Sequence, residues 1–174
     1  DRLHRLAGVT AAIETTTLPP YGGIQSEIDI SGKTHTEKWQ SIYQLCSEGY
    51  FPTLQLRLVR GRLLSDVEVN AARKIAVVNQ TFVTRFLGSE DPIGKLVRIK
   101  GLEKMPQSPV KDAVFEITGV ISDAKNQGIQ DPPMPEMFLP YTITGAFERG
   151  ILVRTSVPPM TLLKSVQREI WAVD

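Results

Sequence analysis

The sequence is poor in the residues that usually carry chemistry. Its 174 residues include one cysteine, Cys46, and two histidines, His4 and His35. One cysteine excludes an internal disulfide and leaves the redox compartment open. Cys46 lies in an apolar–polar stretch with Ile42, Tyr43 and Leu45, which reads as a small buried hydrophobe rather than a nucleophile. Neither histidine sits in a recognisable motif, and HExxH, CxxC and clustered Cys/His patterns do not occur. That leaves no basis for a zinc site. There is no excess of either charge: 20 basic residues face 19 acidic ones, a net of +1, which argues against a nucleic-acid partner. No apolar run approaches the roughly 18–20 residues needed to span a bilayer. There is no leader-like segment either, and the first methionine is Met105. Both ends read as cuts through a longer chain, so any targeting and anchoring segments are expected outside it.

What remains is an ordinary globular composition, 41% hydrophobic and 22% charged. A chain of this length suits one domain, or one domain with a smaller insert. It buries roughly 70% of its unfolded surface and needs no disulfide or metal to hold together.

The pattern alternates between strand and helix signals. A last helical turn closes at Gly8. Strands are expected over 9–17, 25–31, where Ile28 and Ile30 share a parity, and 39–47. A short aromatic helical segment over 48–54 leads to a strand at 56–60, ended by Gly61. Residues 66–73 read as a polar connector and 75–78 as a strand covered on both faces. Asn79 reads as an N-cap, followed by Phe82, Val83, Phe86 and Leu87 at helical spacing and by Gly88 at the C′ position. Then come a turn at 91–94, a strand at 96–100, an exposed loop at 101–112, a strand at 114–121, a stiff connector at 131–135 and a short strand at 138–141. A strand at 151–155 and a helix after Pro158 and Pro159 close the chain. Leu162, Val166, Ile170 and Val173 share one stripe of that helix.

Several local signals dissolve on inspection. Asp91-Pro-Ile-Gly-Lys95 ends in Gly-Lys, but Leu96 takes the Ser/Thr place of a phosphate-binding loop, so a β-turn is the better reading. Asp66, Glu68 and Asn70 lack the glycine and the twelfth-position glutamate of a calcium loop. Glu14, Glu27 and Asp29 offer carboxylates that nothing in the sequence pairs or desolvates, so they read as solvated strand-face charges. Arg57, Arg60 and Arg62 form a basic cluster with two readings: an edge strand charged against unwanted pairing, or a site for an anionic partner.

Order and spacing supply what chemistry does not. Tyr50-Phe51 with Leu54, Leu56 and Gly61-Arg62, Ile75 to Asn79 with Phe82 and Phe86, and Asp91 to Lys95 form one series. Ile117 to Ile121 with Asp123, Pro135-Glu136 with Leu139-Pro140-Tyr141, Val153 to Thr155, and Ile170 to Asp174 continue it. In that order they resemble the MacB-like periplasmic core domain of ABC transporter permeases. The wording is nearest to acidobacterial-type members of the MacB/FtsX group. The departures are mild: Ile121-Ser122 stands where Val-Gly is common, and the 101–112 loop is long.

The resemblance implies an α+β fold: a split porter-like domain of βαβ-type halves, residues 1–61 and 142–174, with a smaller Sabre-like α+β domain, 62–141, inserted. It also implies a final strand beyond Asp174. It implies a non-catalytic extracytoplasmic module of an inner-membrane protein, with no catalytic, cofactor or metal residues. The expected partners are the parent permease dimer, an ATP-binding subunit and a periplasmic adaptor. ATP-driven motion of membrane helices would be relayed through such a domain to export or efflux. Two other readings compete. One is a ligand-binding or sensory module with Trp39, Tyr43, Tyr50 and Phe51 lining a cleft; the other, ranked last, is an enzyme.

Overall fold

The computed structural model describes residues 2–17, 22–105, 110–124, 130–144 and 150–172. Nine strands form its framework. They are β1 (Val9–Thr15), β2 (Ile24–Ile30), β3 (Gln40–Cys46), β4 (Leu58–Gly61), β5 (Ile75–Asn79), β6 (Leu96–Ile99), β7 (Val114–Ile121), β8 (Glu136–Pro140) and β9 (Gly150–Thr155). The helices are α1 (Tyr50–Thr53), α2 (Asp66–Asn70), α3 (Gln80–Phe82), α4 (Lys100–Lys104) and α5 (Pro159–Trp171), with short 3-10 turns at Leu3–Arg5 and Tyr141–Thr144.

The sheet returns on itself. β2 pairs with β6, β6 with β7, β7 with β5, β5 with β8, β8 with β3, and β3 again with β2. Six strands therefore form a closed ring. Alternation along each strand sends one parity inward. Ile28 and Ile30, Val97 and Ile99, Phe115 and Ile117, Ala76 and Val78, Met137 and Leu139, and Tyr43 and Leu45 all belong to one buried cluster. Phe82, Phe86 and Leu102 join it from the helical segments. Tyr43 is 1% exposed, and burial pushes its hydroxyl up to about 12.

The opposite face of β3, β5, β7 and β8 forms a second cluster, reached on β7 after a register shift between Ile117 and Gly119. Cys46, Val77, Phe138 and Ile121 pack there with Tyr50 and Phe51 of α1, Leu64, and Val69 of α2. Phe138 sits 5.5 Å from both Tyr50 and Phe51, ring centroid to centroid. This explains why β5 and β8 are apolar on both faces and buried at every residue: one face looks into the ring and the other onto α1 and α2.

Two extensions leave the ring. β4 pairs antiparallel with β7, and β1 bridges to β3 at Thr15 opposite Cys46 and carries β9 on its other side. The expected division at 61/62 and 141/142 is crossed by two ring pairings, β2 with β6 and β3 with β8.

Two segments differ from the sequence reading. The connector 66–73 contains α2, because Ser65 and Glu68 form a reciprocal capping box at its start. The loop 101–112 begins as α4, anchored by Leu102 in the ring and by Gly101 N–H donating to Ser26 Oγ at 2.8 Å. The segment after Asn79 is helical as expected, but Val83–Leu87 widens to a π turn closed by Gly88 N–H on Val83 O at 2.9 Å. Pro19, Pro20, residues 106–109, Val173 and Asp174 fall outside the described residues.

Candidate functional site

Most of the titratable residues weighed from the sequence are engaged structurally. Cys46 is 0% exposed, and burial first, then the nearby Glu48 charge, push its thiol up. It has no thiolate character at neutral pH. Glu27 and Asp29 project from the outer face of β2 onto Lys100 Nζ, at 2.7 and 3.0 Å. The hydrogen bond from Lys100 is the main cause that lowers the Glu27 carboxyl. Asp29 is pulled upward by desolvation, but bonds from Lys100 and His35 outweigh that and lower it. Glu14 lies apart, on β1. A carboxylate held ionised by an ammonium is a poor general acid.

Asp66, Glu68 and Asn70 serve α2. Asn70 Nδ2 donates to Asp66 Oδ1 at 2.9 Å. Glu68 accepts from Arg62 at 2.7 Å and from Ser65, and these bonds, that from Arg62 first, bring its carboxyl down to about 2. Among the described residues no group of three or more His, Cys, Asp or Glu is placed to hold a metal ion. The arginine cluster is split: Arg60, on a strand exposed at every residue, binds Asp91 at 2.6 Å, and Arg62, just past that strand, binds Glu68.

The aromatic residues weighed as cleft lining are dispersed as well. Tyr43 is inside the ring, Tyr50 and Phe51 are in the second cluster, and Trp39 stacks on His35 with ring centroids 4.3 Å apart.

The motif residues, by contrast, converge. Asn79, 1% exposed, ends β5 and caps α3: Phe82 N–H donates to its Oδ1 at 2.9 Å. The same oxygen accepts Glu136 N–H at 3.0 Å, and Asn79 Nδ2 donates to Met134 O at 2.8 Å. One side chain thus fixes the turn from β5 into α3 and the entry into β8. Asp123, just past β7, accepts Thr81 N–H of the same helix start at 2.9 Å. Pro135 O accepts Ile42 N–H and the Ser41 hydroxyl, locking β8 beside β3.

A second joint lies near the same end of β7, where it pairs with β4. Gly61 of β4 is in register with Gly119. A Cβ on Gly119 would lie 2.1 Å from Arg62 O, and one on Gly61 would lie 2.3 Å from Thr118 O. The turn at 91–94 docks here: Gly94 N–H donates to Ile117 O at 2.8 Å, and Asp91 reaches Arg60. Arg154 of β9 reaches Thr53 O at the end of α1 at 3.3 Å. The sequence pattern thus marks backbone joints between strands, and none of these groups is poised for bond chemistry.

The profile of the MacB-like periplasmic core domain matches residues 5–173. The chain belongs to the MacB-like periplasmic core domain family. Solved structures share the fold of this MacB-like domain. One is the periplasmic region of MacB from Actinobacillus actinomycetemcomitans: TM-score 0.69 at 18% identity, over 99% of this chain and 71% of that one. Another is the extracellular domain of the noncanonical ABC-type transporter YknZ from Gram-positive bacteria: TM-score 0.64 at 16% identity, over 94% and 73% of the two chains. A third is a permease-protein domain from Porphyromonas gingivalis: 0.60 at 18%, over 95% and 65%. No curated protein sequence matches. No described helix of the MacB-like domain is long and apolar enough to cross a membrane.

Proposed function

We propose that this MacB-like domain is a non-catalytic, extracytoplasmic mechanical element of an ABC permease. It stands outside the inner membrane in a permease dimer, beside an adaptor, and relays ATP-driven motion of membrane helices to export. The observation that carries this reading is the convergence of the shared motifs on backbone joints: Asn79, Asp123 and Pro135 around the start of α3, and Gly61 with Gly119 across the β4–β7 pair. A relay needs stiffness, and a closed ring of strands supplies it, because moving one strand requires breaking ladders on both sides.

The porter-like part, 1–61 with 142–174, and the Sabre-like part, 62–141, are on this reading two halves of one body that moves as a unit. The strand pairs shared between β2 and β6 and between β3 and β8 support this. The test is a permease whose two copies are joined by an engineered disulfide through this domain. Transport should stop under oxidation and return on reduction, with nucleotide binding intact. Transport that continues at full rate with the copies joined would overturn the proposal.

A further inference from the structure

The segment between β2 and β3 is fastened to the ring of strands through one imidazole. His35, in that segment, stacks on Trp39 with ring centroids 4.3 Å apart and planes 16° from parallel. Trp39 in turn leans on Phe86 of the buried cluster, 5.1 Å centroid to centroid. Both ring nitrogens of His35 meet oxygens. Nδ1 lies 2.5 Å from Glu37 O, and Nε2 lies 3.2 Å from Asp29 Oδ1 on β2. The His35 side chain is only 16% exposed, so water cannot readily replace either partner.

Neither oxygen can donate. A backbone carbonyl only accepts, and so does an ionised carboxylate. Desolvation pulls the Asp29 carboxyl up, but bonds from Lys100 and His35 outweigh it and hold the group below its ordinary value. A neutral imidazole has one N–H and one lone pair. In either tautomer that lone pair faces an oxygen, and only the imidazolium donates at both places. The surrounding charge agrees. Asp29 and Glu27 share one ammonium, Lys100 of α4, which leaves one negative charge for the ring to balance. The other charges nearby are engaged elsewhere. Arg98, opposite Asp29 on β6, pairs with Glu103 and Asp112. Lys33 pairs with Glu90, and Arg85 lies over the Phe86 ring. Lys38 and Lys104 act on Glu27, and Glu37 meets the imidazole through its carbonyl.

We infer that His35 is a proton-operated latch on the segment joining β2 and β3. With the ring protonated, both bonds form, the segment is held against Asp29, and one face of Trp39 is covered. As pH rises through the range where imidazole ordinarily loses its charge, about pH 5–8, one of the two bonds is lost and the segment loosens. The latch is therefore closed in mild acid and open in mild base. Asp29 sets the acid limit, because it stays ionised to below the ordinary carboxylate value. The device rests on local geometry and stands whether or not the domain relays force.

The test is an NMR series from about pH 5.5 to pH 8. It reads the ring contact between His35 and Trp39, the protons on the two ring nitrogens, and exchange protection of the Lys33 and Ile28 amides, corrected for intrinsic rate. Those amides donate to Ile30 O and Trp39 O. At the acid end both ring nitrogens should carry protons. Contact and protection should then fall about fivefold toward pH 8. His35→Phe, which keeps a ring on Trp39 without a charge, should show no such change, and Asp29→Asn should show less than half of it. His4→Gln should behave as the native protein does. Unaltered β5 amides confirm that each variant is folded. A singly protonated ring in the closed form, a native segment indifferent to pH, the full change in His35→Phe or Asp29→Asn, or its loss in His4→Gln would each overturn the latch.

Discussion

Gly61 faces Gly119 across the β4–β7 pair, and neither position has room for a methyl group. Gly61 also has φ +71°, which side-chain-bearing residues rarely adopt. Gly119→Ala drives a Cβ into the Arg62 carbonyl, a backbone atom that cannot step aside cheaply. We expect it to cost about 2–4 kcal/mol in urea unfolding. Gly32→Ala is the control: it has φ +80° but open space around it, so only the backbone term of about 1–2 kcal/mol should appear. Equal losses at the two sites would show that close approach plays no part.

Asn79 makes three hydrogen bonds from a buried position. Asn79→Ala leaves two N–H groups and a carbonyl without that partner, and should destabilise the fold by about 2–4 kcal/mol. Amide exchange at Phe82 and Glu136 should accelerate before that of β7. Unchanged protection at both would remove Asn79 from its role as a joint.

Ala72 has φ +49° and is exposed, just after α2. Ala72→Gly relieves left-handed strain with no packing to lose, and the larger chain entropy of glycine offsets only part of the gain. A rise in stability of about 0.5–1 kcal/mol is expected. A fall in melting temperature would contradict the strained backbone.

Glu68 provides a pH-dependent term. Its folded-state carboxyl is lowered to about 2 from the ordinary 4.5, chiefly by the bond from Arg62 and then by Ser65. A lowered carboxyl stabilises the fold above its unfolded value, and that stability is lost as pH falls through the folded value. Relative to Glu68→Gln, the native protein should be more stable by about 1 kcal/mol near pH 6, with the difference closing between about pH 5 and pH 2. Melting curves of the two proteins across that range decide it. A difference that does not depend on pH would rule out ionisation as its source.

These tests probe a fold that was legible in the sequence where burial is periodic and obscure where it depends on distant partners. β2 and β6 showed themselves through alternation, and β5 through an unbroken buried run. α2 escaped because its five residues are mostly polar; the signal was present in Ser65-x-x-Glu68, a capping box that secures the helix from its first turn. α4 carried less warning, since it rests on Leu102 and on Ser26, some 75 residues away in sequence. Closure of the ring was invisible for the same reason: Ile28 beside Ile99 is a pairing no local pattern encodes. The stripe on α5 foretold a helix but not its surroundings, and no α5 residue is fully buried. The motif residues were recognisable as a pattern, but that Asn79, Asp123 and Pro135 meet at one helix start came only from the structure.

The most direct test of force transmission is pulsed electron–electron distance measurement in the full permease, with spin labels at Lys38 and Val67. Both positions are exposed, Val67 at 75%, and native Cys46 is too buried to take a label. The account predicts that the Lys38–Val67 distance within one copy stays fixed when ATP is added, while the Val67–Val67 distance between copies shifts by about 5 Å or more. A between-copy distance that ignores nucleotide, or a within-copy distance that changes with it, would contradict a stiff domain driven from the membrane.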